Sequence, residues 1–238
     1  MSETLVIGDL TFEVRRSVRR KNLGLTVDRG AELVVHAPSA ADESELTRWT
    51  RSKLLWVHRK LAQKDELVRN ASEPEFITGE TFSFLGRSYR LAIVRVATEP
   101  LALVGGHFQL AADARGEAAS HFRRWYIRAG RNWLPERVTQ LSRKTGVQPQ
   151  RIEVRDLGFR WGSCGRNGVL YFNWRLFQLP VRLIDYVIVH ELAHLVHANH
   201  GAEFKNLLKR AMPSSAERER ELRSAASTVH WCEAEMRQ

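Results

Sequence analysis

An apolar helix carrying groups that burial penalises restricts this chain more than any other stretch. Residues 181–198 place Ile184, Val187, Ile188, Leu192, Leu195 and Val196 at helical spacings, which predicts a buried helix. The same stretch contains His190-Glu191-Leu192-Ala193-His194. Imidazoles and carboxylates inside a protein destabilise it unless they are paired or bound. Two histidines four residues apart lie one turn apart on one helix face, so both can reach a single metal ion. Glu191 is turned by about 100° from His190, to the edge of that face, where its carboxylate can act on a water.

A catalytic zinc site keeps three protein ligands and one open position. Three residues compete for the third place. His197 lies seven positions after His190, but on a straight helix that is a rise of about 10.5 Å, too far for one ion to bond both. His200 would be about 15 Å from His190 on a continued helix and becomes usable only if the chain reverses. Asn199 and Gly201 flank it with residues that tolerate a left-handed turn, so a reversal there is expected and His200 is favoured. Glu203 is the remaining option, and His197 is then assigned to the surroundings of the site or to the surface.

Residues 190–204 read HELAHLVHANHGAEF and residues 160–164 read RWGSC, followed by a turn and Pro180. Together with Ile184-Asp185-Tyr186-Val187, these resemble the YgjP-like metallopeptidase family and, more distantly, the SprT-like and Wss-type zincins. The resemblance covers nearly the whole chain; its C-terminal motifs are specific and its N-terminal ones weak. It implies His190, His194 and His200 as metal ligands, Glu191 as the base and a metal-dependent hydrolase of the peptidase kind, without establishing a substrate. One zinc ion per chain and a peptide or protein substrate are expected. The expected function is peptide-bond hydrolysis by a zinc-activated water with Glu191 as general base.

The 238 residues, 43% of them hydrophobic, suit a globular protein with an ordinary core. Apolar runs fall short of a membrane helix, and the start, MSETLVIGDL, lacks a secretory signal. Two cysteines, Cys164 and Cys232, give no disulfide framework, so a cytoplasmic protein is expected. The net charge of +10, with basic clusters at Arg15-Arg16, Arg19-Arg20-Lys21 and Arg123-Arg124, would attract polyanions. Aromatics in HFRRWYIRAGRNW (121–133) could add stacking to nucleic acid, but their helical spacing fits inward packing better.

Short strands are expected at 5–7, 12–15, 23–27 and 33–35, with a hairpin turn at 28–30, then a helix over 41–68 capped by Ser39 or Asp42. Strands return over 72–110, a linker is placed at 111–119, and a long helix covers 117–145. Strands at 151–157 and 169–174 flank RWGSC, a further helix follows near 202–212, and no internal repeat is visible. The expected class is α+β: a β-rich N-terminal region, 1–112, with one long helix, then a zincin-like catalytic domain, 113–238, carrying the active-site helix. The strand at 169–174 is the candidate edge for pairing with an extended substrate. Cys164 is a possible metal contact or a small buried hydrophobe, and Arg160 could bind a substrate anion, stabilise an oxyanion or pair with Asp185. Two rivals remain: a metal-dependent hydrolase of a non-peptide substrate such as a nucleotide phosphoanhydride, and a binding module with a structural zinc.

Overall fold

In the computed structural model, residues 3–27, 32–70, 74–158, 160–225 and 228–229 are described, with only the backbone course given for 63–70. The hairpin turn expected at 28–30 and Cys232 lie outside the described residues. By its contacts the chain divides into two units, Met1–Arg69 and Asn70–Gln238.

Unit 1 begins with β1 (Glu3–Ile7), β2 (Leu10–Ser17), β3 (Gly24–Val27) and β4 (Leu33–Pro38), in the sheet order β1-β2-β4-β3. Phe12 and Val14 alternate with polar residues along β2, and Leu33, Val35 and Ala37 share one face of β4, so this face of the sheet buries its side chains. Leu46 and Val57 from the following helical segment close the core. The single helix expected over 41–68 is two, α1 (Glu43–Ser52) and α2 (Leu54–Asn70). Lys53 sits between them with φ −104° and ψ −2°, and its N–H bonds to the Thr50 carbonyl at 2.9 Å, a three-residue closure that interrupts the α pattern. Asp42 occupies the N-cap position, although its carboxylate accepts from Ser44 Oγ instead of capping the helix N–H groups.

Unit 2 repeats the connectivity. Strands β5 (Thr81–Phe84), β6 (Arg87–Val94), β7 (Leu101–Val104) and β8 (His107–Ala111) take the order β5-β6-β8-β7. As in unit 1, the outer pairs are antiparallel and the central pair is parallel. The helix that follows, α3 (Ala118–Thr145), lays Phe122, Trp125 and Tyr126 on this sheet. Phe122 stacks on Phe82 with ring centroids 4.1 Å apart, Trp125 meets Phe108 edge-on at 4.7 Å, and Tyr126 donates its hydroxyl to the Ser83 carbonyl at 2.6 Å. The second sheet therefore shares one core with α3 and all that follows. The boundary expected at 112/113 falls inside that core, and the structural division lies at 69/70.

Gly146, at φ 74°, ends α3 with its N–H on the Ser142 carbonyl. The chain then forms β9 (Arg151–Arg155), β10 (Gly162–Cys164) and β11 (Val169–Asn173), in the order β10-β11-β9. The two strands expected here exist, but they are parallel neighbours, and RWGSC supplies a third strand antiparallel to β11. Asn173 holds the loop before β10 by donating Nδ2 to the carbonyls of Gly158 and Arg160. Helices α4 (Val181–His194), α5 (Ala202–Ala211) and α6 (Ser215–Ala225) complete the unit. Arg137 of α3 grips Asp185 of α4 through two hydrogen bonds of 2.6 and 2.5 Å, so Asp185 pairs with Arg137 and not with Arg160. No helix among the described residues is long and apolar enough to cross a membrane.

Candidate metal centre and active site

Helix α4 is buried through Ile184, Val187, Ile188, Leu192 and Ala193, and it stops at His194, shorter than the 181–198 expected. The N–H groups of Leu195 and Val196 bond three residues back, to the carbonyls of Leu192 and Ala193 at 3.1 and 3.2 Å, the tighter closure in which the α pattern ends. The reversal uses no left-handed residue: neither Asn199 nor Gly201 has positive φ, and Gly201 is extended (φ −69°, ψ −171°) as the N-cap of α5. The turn chemistry expected there is therefore corrected, while the outcome, a return of His200 to α4, is as expected.

His200 Nε2 lies 3.1 Å from both His190 Nε2 and His194 Nε2. Among the described residues, these three form a group able to hold a metal ion, with ligand atoms all within 4.8 Å of one another. The separations approach roughly 3.3 Å, the edge of a tetrahedron with zinc–nitrogen bonds of about 2.0–2.1 Å. His194 Nδ1 sits 3.1 Å from the His197 carbonyl, which can only accept, so Nδ1 carries the proton and Nε2 presents a lone pair to the centre. Burial, then the neighbouring imidazoles, lowers the pKa of His190 to about 4, and burial also lowers that of His194. Neutral imidazoles converging on one point are the form a metal needs. His190 Nδ1 is buried and meets no hydrogen-bond partner among the described residues. Phe204 of α5 packs against all three rings at centroid distances of 4.6–5.0 Å, an apolar floor that sequence reasoning missed although it lies four residues after His200.

Glu191, only 6% exposed, packs against β10. Burial raises its pKa to about 7; the positive charge of Arg160 and the Cys164 N–H, which donates to the carboxylate, pull the other way and only partly offset it. A carboxylate near the threshold of ionisation at neutral pH is suited to accept and release a proton. The Cys164 thiol is pushed up by burial and by Glu191, and Cys164 is not a member of the metal group. Arg160 is exposed and donates to Ser163 Oγ at 3.4 Å. The His197 side chain turns toward Glu203, 3.7 Å away, and neither joins the three histidines. On α3, Phe122, Trp125 and Tyr126 are buried, so these rings are not presented for stacking on nucleic acid.

Strand β11 lies between β10 and β9, so the substrate edge expected at 169–174 is an interior strand. The edge beside Glu191 is β10. Bonds from Asn173 N–H to the Trp161 carbonyl and from Gly165 N–H to the Val169 carbonyl set the alternation, which turns the main-chain groups of Gly162 and Cys164 away from β11.

No curated protein matches the chain. A solved structure, that of the metallopeptidase zymogen abylysin from Pyrococcus abyssi, is similar over 37% of this chain and 90% of that one, with 19% identity and a TM-score of 0.35. Residues 21–225 match the YgjP-like metallopeptidase domain, and the chain belongs to that family.

Proposed function

We propose that this protein is a zinc-dependent peptidase in which His190, His194 and His200 hold the metal and Glu191 is the general base. The observation that carries the reading is the convergence of three Nε2 atoms beside a buried carboxylate of raised pKa. When bound, zinc would lower the pKa of water and polarise a carbonyl. Glu191 takes the proton of the attacking water at its carboxylate and delivers it to the leaving amine. The Cys164 N–H holds that carboxylate in place. An extended peptide lying along the outer edge of β10 would bond to the N–H and carbonyl of Gly162, which brings its main chain past Glu191.

The test is metal analysis of the protein purified without added metal, for wild type and His200→Ala, followed by peptide cleavage with Glu191→Gln as the blank. One zinc per chain in wild type, its loss in His200→Ala, and zinc retention without turnover in Glu191→Gln are expected. Magnesium-dependent phosphate release with no peptide cleavage would replace this reading with the nucleotide hydrolase. Turnover by zinc-loaded Glu191→Gln at the wild-type rate would remove Glu191 as base.

A further inference from the structure

Four glycines described in unit 2, Gly86, Gly130, Gly162 and Gly165, stand where a side chain would strike a neighbour at under 3 Å, and their neighbours differ in kind; at Gly165 the neighbour is the Tyr171 ring. A Cβ at Gly130 would meet the core ring of Phe177, and one at Gly86, where φ is 76°, would meet Pro180. Both serve packing. A Cβ at Gly162 would lie 2.7 Å from Glu191 Cγ, 2.7 Å from its Oε1 and 2.9 Å from its Cδ. Gly162 is in a strand and has no positive φ, so its backbone does not call for glycine. What calls for it is the carboxylate.

We infer that Gly162 is a positioning residue for Glu191: it leaves open the volume that the carboxylate occupies. The inference rests on the proposed role of Glu191 as base. Neither side of the contact is free to retreat. Strand β10 is fixed by the Asn173–Trp161 and Gly165–Val169 bonds, and it pairs with Phe172 and Leu170, both fully buried. Glu191 leaves α4 between Ile188 and Leu192, also fully buried. The clash reaches as far back as Cγ, so turning the terminal carboxylate would not relieve it. The whole side chain would have to leave its rotamer, and with it the hydrogen bond from the Cys164 N–H. One short strand thus both vacates the space for the base, at Gly162, and supplies the N–H that holds it, at Cys164.

The experiment compares full-length wild type, Gly162→Ala, Glu191→Ala and the double variant. Thermal midpoints are measured on the metal-free proteins, zinc content on the loaded ones, and kcat and KM on a peptide substrate. Gly162→Ala should lower the midpoint in the wild-type background and leave it unchanged or higher in the Glu191→Ala background, where the added methyl enters vacated space. Gly162→Ala should keep one zinc per chain and a KM within about threefold, while kcat falls about 100-fold, the scale of a displacement near 1 Å. Equal losses of midpoint in both backgrounds would overturn the steric claim, and a kcat within about threefold of wild type would overturn the positioning role. Should Gly162→Ala fail to fold, folding of the double variant supports the inference and its failure overturns it. Stability coupling with a fully active Glu191→Gln would instead retire the base assignment and leave the packing claim standing.

Discussion

Two four-stranded sheets in this chain have one connectivity, hairpin, parallel crossover, hairpin, and each is followed by a helical segment that spans 28 residues, 43–70 and 118–145. They differ in what that segment does. After the first sheet it breaks at Lys53 and leaves Leu55 72% and Trp56 40% exposed. After the second it is continuous, lays three aromatic rings on its sheet, and carries Leu134, Val138, Leu141 and Arg137 on toward α4. Buried polar residues divide the same way: among the described residues, Thr50 is the one in unit 1, whereas unit 2 buries Asn173, Arg175, Gln178 and Glu191 among others. Topology alone therefore does not make a scaffold for a site. The second module became one because its helix has two apolar faces and its core tolerates partnered charge, as where Asp156 accepts from Arg175 and the Trp174 indole.

The largest expected effect tests the claim that aromatic packing distinguishes the second module. Phe122→Ala removes a fully buried ring that contacts Phe76, Phe82 and Phe108. Urea unfolding should show a loss of about 3–5 kcal/mol, typical of large-to-small substitution in a core. A loss below about 1 kcal/mol would mean that this sheet does not depend on α3.

Next comes the buried Glu191 carboxylate. A carboxylate whose pKa is raised in the folded protein weighs against folding once the pH exceeds its unfolded value near 4.5, and fully so above about 7. Metal-free Glu191→Gln should therefore be more stable than metal-free wild type at pH 8, by on the order of 2 kcal/mol. The advantage should shrink as the pH falls and vanish near pH 4, where the wild-type carboxyl is neutral in both states. Thermal midpoints across that range check both sign and window; no gain at pH 8 would show that the carboxylate is better solvated or partnered than its burial indicates. A smaller effect is expected from Arg137→Ala, which strands the partly buried Asp185: about 1–2 kcal/mol, by urea unfolding.

The site was more legible in the sequence than its frame. His190, Glu191 and His194 announce themselves because helical periodicity fixes which side chains share a face, whatever surrounds them. His200 could be reached by excluding His197 on distance, although the reversal that delivers it uses no left-handed residue. Strand β10 was hidden because three residues are too few to show alternation, and its pairing partner lies across a turn. The 112/113 boundary failed because 111–119 looks like a linker by composition, while the core joining Phe108 to Phe122 spans it. The repeated strand order left no trace because sheets constrain alternation and leave residue identity free. Glu191 could be named from the motif, but not the glycine facing it, since a contact between a strand and a helix has no spacing to read.

The smallest predicted effect bears most directly on the difference between the two helical segments. Leu55 projects from the start of α2 with most of its surface exposed, whereas Phe122, near the start of α3, is fully buried. Leu55→Ala exchanges one good helix former for another and removes little buried area, so urea unfolding should change by no more than about 0.5 kcal/mol. A loss above about 1 kcal/mol would require Leu55 to be covered in solution, because apolar burial yields roughly 25 cal/mol per Å² and an exposed side chain has little to lose. In that event both segments would bury their opening turns, and the contrast between the modules would narrow to the continuity of α3 and its grip on Asp185.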